Sequence, residues 1–196
     1  MKRKIVVIDT ETGGIDASKH SILSIALCVL HGGGIDGKLY MLIKEPNIEA
    51  TDEALVINKL TRSQLLAEGW SPGNAVDRIE AFLLEHDFRD PRKVTLGGCQ
   101  TDFDVSFLKR LYGFTDRDYA KRYDRRVLDI SHGALLLEQA GRLDLRGDAP
   151  SLENVSRALG VPLDRKDGHN ALNDCETTTR VLSRMVDLLR HNDWPT

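Results

Sequence analysis

The stretch Ile5-Val6-Val7-Ile8-Asp9-Thr10-Glu11-Thr12-Gly13-Gly14 begins with four β-branched residues and ends with two acids and a glycine pair. Such an apolar run is typical of a strand that is buried on both faces at the centre of a sheet. Because strand side chains alternate, the carboxylates of Asp9 and Glu11 point to the same side. Two carboxylates held side by side repel each other, so the pattern indicates a cation between them. Ordinary solvated turn acids are the alternative interpretation.

The composition is that of a soluble globular protein. The chain has 196 residues, 41% hydrophobic and 29% charged, with a formal net charge of -3. This length suits one domain over residues 1–196. The acidic balance disfavours tight, sequence-independent binding to duplex nucleic acid. Three widely spaced cysteines predict neither a disulfide framework nor a zinc site, and no apolar run approaches a membrane span. We therefore expect a cytoplasmic protein with no membrane association.

The order of the apolar segments predicts an α/β fold with a mixed sheet. Strands over Ile22 to Leu30 and Lys38 to Lys44, joined by a turn at Gly32-Gly33-Gly34, form an antiparallel meander with the first strand. Two short strands follow, at Val94 to Leu96 and at Val127 to Ile130. Helices alternate with these later strands, which gives five strands in all and favours a sheet flanked by helices.

Two acids of the later helices lie on apolar faces. In the last helix, predicted from about Asn170 to His191, Asp174 falls inside the apolar stripe. In the helix predicted from about Asp102 to Tyr112, Asp104 falls on the same arc as Phe103, Leu108 and Leu111, whereas Asp102 points to the opposite side. A buried carboxylate is costly unless it is paired or binds a metal ion. For Asp174, stabilisation by the helix dipole is the alternative interpretation.

His169 lies five residues before Asp174, after Asp167-Gly168 and at the start of the same helix. An isolated histidine in a loop is more often an ordinary surface residue. Beside a metal-binding carboxylate, however, a histidine is a candidate general base, because imidazole exchanges protons near neutral pH.

The order of these residues resembles the DEDD exonuclease superfamily, specifically its histidine-bearing branch. The first motif matches Asp9-Thr10-Glu11-Thr12-Gly13, the second matches Phe103-Asp104 with Phe107-Leu108, and the third matches His169 through Asp174. The family includes the proofreading subunit of the bacterial replicative polymerase and ribonuclease T. Cys99-Gln100 stands where the second motif usually carries His-Asn, which bears on local hydrogen bonding and on substrate preference.

The resemblance implies a ribonuclease H-like fold and the hydrolysis of phosphodiesters from a 3′ end to nucleoside 5′-monophosphates. It implies two Mg²⁺ or Mn²⁺ ions held by Asp9, Glu11, Asp104 and Asp174, with His169 taking a proton from the attacking water. The expected partners are the 3′ ends of single-stranded DNA or RNA. A polymerase or a repair protein is a further candidate partner.

The resemblance also implies contacts with the substrate. Backbone N–H groups around Thr12 and Gly13 are expected to hold the terminal nucleotide. Ile15 and His20, in the loop just beyond, are expected to pack against its base. The basic run Arg117 to Arg126, with tyrosines interleaved, is a candidate for guiding the strand. A solvated helix face is the favoured interpretation of that run.

Two other functions have support in the sequence. Asp9-Thr10-Glu11 resembles the opening of the haloacid-dehalogenase phosphatases, in which Asp9 would be the nucleophile, although Glu11 stands where that family has a second Asp. A non-catalytic binding module with an exonuclease fold is the other alternative. Such modules normally lose one or more of the acids, and this chain keeps all four.

Overall fold

One mixed sheet of five strands forms the centre of the molecule. The computed structural model describes residues 3–89, 93–164 and 169–190. The strands lie in the order β3-β2-β1-β4-β5, with the bounds β1 Ile5–Thr12, β2 Ile22–His31, β3 Gly34–Leu42, β4 Val94–Gly98 and β5 Tyr123–Asp129. β2 pairs antiparallel with both β1 and β3, whereas β1, β4 and β5 run parallel. The predicted α/β class with a five-stranded mixed sheet is confirmed.

Helices cover both faces of the sheet. Within the described ranges they are α1 Asp52–Ile57, α2 Arg62–Glu68, α3 Pro72–Glu85, α4 Thr101–Gly113, α5 Tyr119–Arg122, α6 Ile130–Gln139, α7 Leu152–Ala158 and α8 Ala171–Arg190. One hydrophobic core joins the sheet to α3 and α4, and a second core joins its other face to α6, α7 and α8. None of these helices combines the length and the apolar character that crossing a membrane would require.

β1 is buried on both faces, as its sequence predicts. Val6, Val7 and Ile8 have no exposed surface. Val6 and Ile8 belong to the core with α3 and α4, whereas Val7 belongs to the core with α8. The same alternation directs Asp9 towards the α8 side of the sheet and Thr10 towards the α4 side. The end of β1 therefore presents polar side chains to both helical layers.

Some predicted boundaries are wrong because strand pairing extends further than the apolar runs. β3 begins at Gly34 instead of Lys38, since Gly34 pairs with His31 directly after the turn. β5 begins at Tyr123, so Arg125-Arg126 lie in a strand and not on a helix face. The last helix is described to Arg190. The predicted end at His191 lies outside the described residues.

A buried ion pair fixes α4 to the loop that follows β1. Glu45 is 1% exposed, and its carboxylate accepts hydrogen bonds from Arg110 Nε at 3.0 Å and Arg110 Nη2 at 2.7 Å. The same carboxylate accepts from Ser21 Oγ at 2.9 Å and from the Ile22 N–H at 3.1 Å. Arg110 Nη1 also donates to the Ala17 carbonyl at 3.0 Å. The start of β2, the preceding loop and α4 are thereby held together.

We expect Glu45→Ala to lower the free energy of unfolding by about 3 kcal/mol, because it leaves the Arg110 guanidinium without its buried acceptor. Urea denaturation followed by circular dichroism measures this loss. Glu85→Ala is the matched control, since its ion pair with Arg78 is exposed and its removal should cost less than about 1 kcal/mol. Equal losses in the two variants would contradict the role assigned to Glu45.

Candidate active site

Three carboxylates converge where the end of β1 meets the first turn of α8. One ligand oxygen from each of Asp9, Glu11 and Asp174 lies within 4.8 Å of the other two. Asp9 and Glu11 come from the same side of β1, and Asp174 is 5% exposed. The structure therefore brings together three of the four predicted metal ligands. Oxygen donors at this spacing suit a divalent cation such as Mg²⁺ or Mn²⁺.

The start of α8 is fixed by contacts that hold Asp174 against β1. The Asn170 side-chain oxygen accepts from the N–H groups two and three positions further on, at 3.1 and 3.2 Å, in the manner of a helix N-cap. Cys175 Sγ donates to the Val7 carbonyl at 3.3 Å. Because the neighbours on both sides of Asp174 are fixed, its carboxylate has little freedom to leave the cluster.

Asp104 approaches from the α4 side of the sheet. It is 4% exposed, and its Oδ1 accepts from Thr10 Oγ1 at 2.7 Å. Asp104 lies outside the group of three mutually close acids. Burial raises the pKa of Asp104 to about 7, the negative charge of Glu11 adds to the rise, and the Thr10 hydrogen bond opposes it. Asp102 is exposed, so the contrast in burial predicted from helical phase is present.

The residues that precede and begin α4 depart from expectation. Gln100 has a left-handed backbone conformation, with φ 54°, which non-glycine residues adopt infrequently. Cys99 Sγ lies 3.7 Å from Ser131 Oγ, and burial raises the pKa of the Cys99 thiol to about 11. Phe103 was expected on the apolar arc but is 36% exposed. Its ring contacts Phe107. Helical phase predicts the direction of a side chain, and it does not predict whether a neighbouring element covers that side chain.

His169 lies beside the carboxylate cluster. Its Nδ1 is 3.6 Å from Asp174 Oδ2, and 54% of its side-chain surface is exposed. The imidazole is therefore held near the acids while it stays open to solvent and to an incoming substrate. Residues 165–168, which include the preceding Asp167-Gly168, lie outside the described residues.

The backbone N–H and carbonyl of Gly13 are both engaged by neighbouring backbone groups. Its N–H donates to the Ser21 carbonyl at 2.8 Å, and its own carbonyl accepts from the Thr51 N–H at 2.8 Å. The Gly13 N–H is thus engaged within the loop, and the nucleotide contact expected of the backbone around Thr12 and Gly13 stays a prediction. A side chain at Gly13 would collide with the backbone of Glu49 and Ala50, so only glycine fits here.

The loop after Gly13 presents one apolar side chain to solvent. Ile15 is 88% exposed, which leaves it available to a base. His20 Nδ1 lies 3.2 Å from both the backbone N and the carbonyl O of Asp16, so this ring braces the loop. The Thr12 carbonyl accepts from Asn58 Nδ2 at 3.1 Å. The nucleotide contacts expected of Thr12, Ile15 and His20 stay predictions.

Two supporting residues were missed from the sequence. Thr10 alternates with Asp9 and Glu11, so the period of two already directed it to the α4 face, where Asp104 was expected. Asn170 is a preferred N-cap residue at the start of a predicted helix. The strand alternation and the N-cap preference were both present in the sequence. Thr10 and Asn170 support the predicted site residues and are not themselves predicted metal ligands or proton acceptors.

Three similarities to known proteins agree with this geometry. A family model described as exonuclease matches residues 6–182. Ribonuclease T of Shewanella sp. (strain MR-4) is 28% identical over an alignment of 204 residues, which covers 97% of this chain and 85% of that protein. The nuclease domain of 3′hExo, a DEDDh family member solved with rAMP, has a TM-score of 0.72 at 15% identity and covers 94% of this chain and 92% of that one.

Exonuclease I shares the fold over part of its length. The enzyme of Methylocaldum szegediense has a TM-score of 0.74 at 21% identity, covering 97% of this chain and 41% of that one. Escherichia coli exonuclease I with a dT13 oligonucleotide has a TM-score of 0.75 at 16% identity, and the match covers 97% of this chain and 43% of that one. This chain thus spans about two fifths of the exonuclease I chains it matches.

The match to the exonuclease family covers most of the chain and includes β1, α4 and the first turns of α8. The phosphatase alternative and the non-catalytic alternative are therefore not favoured. The ribonuclease H-like fold expected from the motifs is confirmed by the structural neighbours. The chain belongs to the exonuclease family, and its motifs resemble those of the DEDDh 3′–5′ exonucleases.

Proposed function

We propose that the protein removes nucleotides from the 3′ ends of single-stranded DNA or RNA and releases nucleoside 5′-monophosphates. The observation that carries this proposal is the convergence of Asp9, Glu11 and Asp174 within 4.8 Å, with His169 Nδ1 3.6 Å from Asp174 Oδ2. A proton acceptor beside clustered acids suits phosphodiester hydrolysis assisted by divalent cations.

The oxygen donors fit two Mg²⁺ or Mn²⁺ ions. In this proposal Asp9, Glu11 and Asp174 would hold the cations at the end of β1, and Asp104 would support them from the α4 side. When bound, such ions stabilise the charge that develops on the phosphate and on the leaving oxygen. They would also let a chain with a net charge of -3 accept a polyanion at an acidic site.

The remaining roles belong to side chains around the cluster. His169 accepts the proton of the attacking water, and its contact with Asp174 orients the ring for that transfer. The exposed side chain of Ile15 packs against the terminal base. Gly13 lets the turn after β1 close, because a side chain there would meet the backbone of Glu49 and Ala50. Its contribution is one of shape, since its N–H is already used.

The choice of single strands is supported by the structural neighbours. Escherichia coli exonuclease I has been solved with dT13 and with dA16 oligonucleotides, and the 3′hExo nuclease domain has been solved with rAMP. These neighbours include both deoxyribonucleotide and ribonucleotide ligands. We therefore propose that a free 3′ end, and not the type of sugar, is the feature that the site requires.

Polarity is the first test of this proposal. Single-stranded oligonucleotides labelled at the 3′ or the 5′ end should shorten from the 3′ end in Mg²⁺, with nucleoside 5′-monophosphates as the products. EDTA should abolish the reaction and excess Mn²⁺ should restore it, whereas Asp9→Asn should be inactive in both metals. Degradation from the 5′ end, or products that carry 3′-phosphates, would exclude the proposed reaction.

The role of His169 has its own test. His169→Ala should lower kcat by roughly 10²–10⁴, the usual effect of losing a general base. It should keep the rise in melting temperature that Mg²⁺ gives the wild type, because a bound ion still stabilises the fold. His31→Ala is the matched control, since His31 lies at the opposite end of β2 from Ser24 and Ile22, which pair with Glu11 and Thr12. Equal activity in the two variants would show that another residue is the general base.

A third test uses the burial of Asp104. Because burial raises its folded-state pKa from 3.8 to about 7, the folded, metal-free protein keeps a proton that the unfolded chain releases. The stability that this proton provides is present at acid pH and is lost as the pH rises through about 7, a loss on the order of a few kcal/mol. Urea denaturation in EDTA at a series of pH values measures it.

Asp104→Asn should remove this part of the pH dependence, because an amide carries no titrating proton and can still accept from Thr10. Asp102→Asn, at an exposed position of the same helix turn, is the control and should keep the wild-type profile. In Mg²⁺ the first substitution should lower activity by orders of magnitude and the second by little. The reverse pattern would mean that Asp102 is the ligand.

A further inference from the structure

A cavity lies between the segment after α6, the end of α7 and the second half of α8. It has a volume of about 410 Å³, and four arginines line it: Arg142, Arg146, Arg157 and Arg184. Arg184 follows Asp174 by ten residues on α8, which places it about 15 Å further along the helix axis. None of the predicted catalytic residues lines this cavity. It is therefore separate from the carboxylate cluster.

The lining contains two acids against these four arginines, and one of the acids is paired with an arginine. Asp148 Oδ2 forms an ion pair with Arg157 Nη2 at 2.6 Å, and Asp144 Oδ1 accepts from the backbone N–H of Arg146 at 2.8 Å. Among residues 3–89, 93–164 and 169–190, the guanidinium groups of Arg146 and Arg184 form no ion pair or hydrogen bond. The cavity thus concentrates positive charge on a chain that is acidic as a whole.

The backbone at Arg146 supports a role for its side chain. Arg146 has φ 57° and the following Gly147 has φ 80°. Glycine adopts this left-handed conformation without steric cost, whereas a residue with a Cβ does not. The turn nevertheless places an arginine at this position, where it lines the cavity. Residues held in sparsely populated backbone conformations cluster at functional sites.

Apart from Asn154, the rest of the lining is apolar. Leu143 and Leu145 are buried, and Leu159 and Leu188 are partly buried and pack on the same core. A guanidinium presents a planar set of donors that matches phosphate oxygens. Leucine side chains beside it offer a surface for a flat, less polar group. The lining therefore offers contacts for both parts of a nucleotide, the phosphate and the base.

We propose that this cavity binds the phosphate of a nucleotide unit through Arg146 and Arg184, at a site distinct from the carboxylate cluster. The unit is either a free nucleoside monophosphate or part of a nucleic acid strand. The two sources share the same phosphate chemistry, and they differ in whether the phosphate is a monoester or a diester.

Binding without metal separates this site from the active site. In EDTA, the clustered acids repel phosphate, so binding at low ionic strength reports the arginines. Isothermal titration with adenosine monophosphate, with adenosine and with a thymidine oligonucleotide distinguishes the sources. Binding of the monophosphate but not of adenosine indicates a free nucleotide, and binding of the oligonucleotide alone indicates a strand. Failure of both phosphate ligands to bind would overturn the proposal.

Two substitutions test the residues. Arg146→Gly and Arg184→Gln should each weaken binding of the phosphate ligand about tenfold, because each removes charge-assisted hydrogen bonds. Arg146→Gly should not lower the melting temperature, since glycine suits the backbone there. Arg190→Gln, on the same helix but outside the lining, is the matched control and should bind like the wild type. Unchanged binding in both cavity variants would assign the ligand to another surface.

These measurements do not depend on the proposed hydrolysis. No divalent cation is present, so a chain without exonuclease activity would give the same binding result. Conversely, both cavity variants should still cleave a dinucleotide in Mg²⁺, because the cavity is remote from the acids. Loss of dinucleotide cleavage together with phosphate binding would show that the substitutions had disturbed the fold.

Discussion

Repulsion between carboxylates at the end of a buried strand is the constraint on which the rest of the structure depends. At 4.8 Å, two like charges repel by about 3 kcal/mol at an effective dielectric constant of about 20. Only a rigid frame holds three acids at this separation. β1 supplies it, because it is paired with β2 on one side and with β4 on the other and its apolar residues are buried in both cores. Bound cations would relieve the repulsion that this frame sustains.

The alternation of side chains along β1 divides the site between two helices. Asp9 and Glu11 face α8 and meet Asp174, whereas Thr10 faces α4 and holds Asp104 through its hydroxyl. The two sides differ electrostatically, since burial raises the pKa of Asp104. In the proposed arrangement, a cation bound on the α4 side would displace this proton, and its affinity would then depend on pH. A single residue step in the strand thus separates two chemically different halves of the site.

Much of this arrangement follows from periodicity. The period of two placed Asp9 and Glu11 together, and helical phase selected Asp174 and Asp104 as the buried acids, because in both cases side-chain direction depends only on local geometry. The Glu45–Arg110 ion pair had no such signal, since its partners lie on different elements and are brought together by packing. The hydrogen bond from the Gly13 N–H to the Ser21 carbonyl likewise had no local signal, because its acceptor comes within reach only once the loop has closed.

The positive charges show the same limit of local sequence. The run Arg117 to Arg126 looks basic, yet in the fold Arg117 pairs with Asp77 and Arg122 Nε lies 2.9 Å from Glu80 Oε2. Acids of α3 thus neutralise two of its arginines and use them to hold the segment in place. The four arginines that line the cavity are not clustered in the sequence. Three elements bring them together: the turn that follows α6, helix α7 and helix α8. An acidic chain can bind phosphate where the fold leaves guanidinium groups without carboxylate partners. A count of basic residues along the sequence does not reveal which guanidinium groups these are.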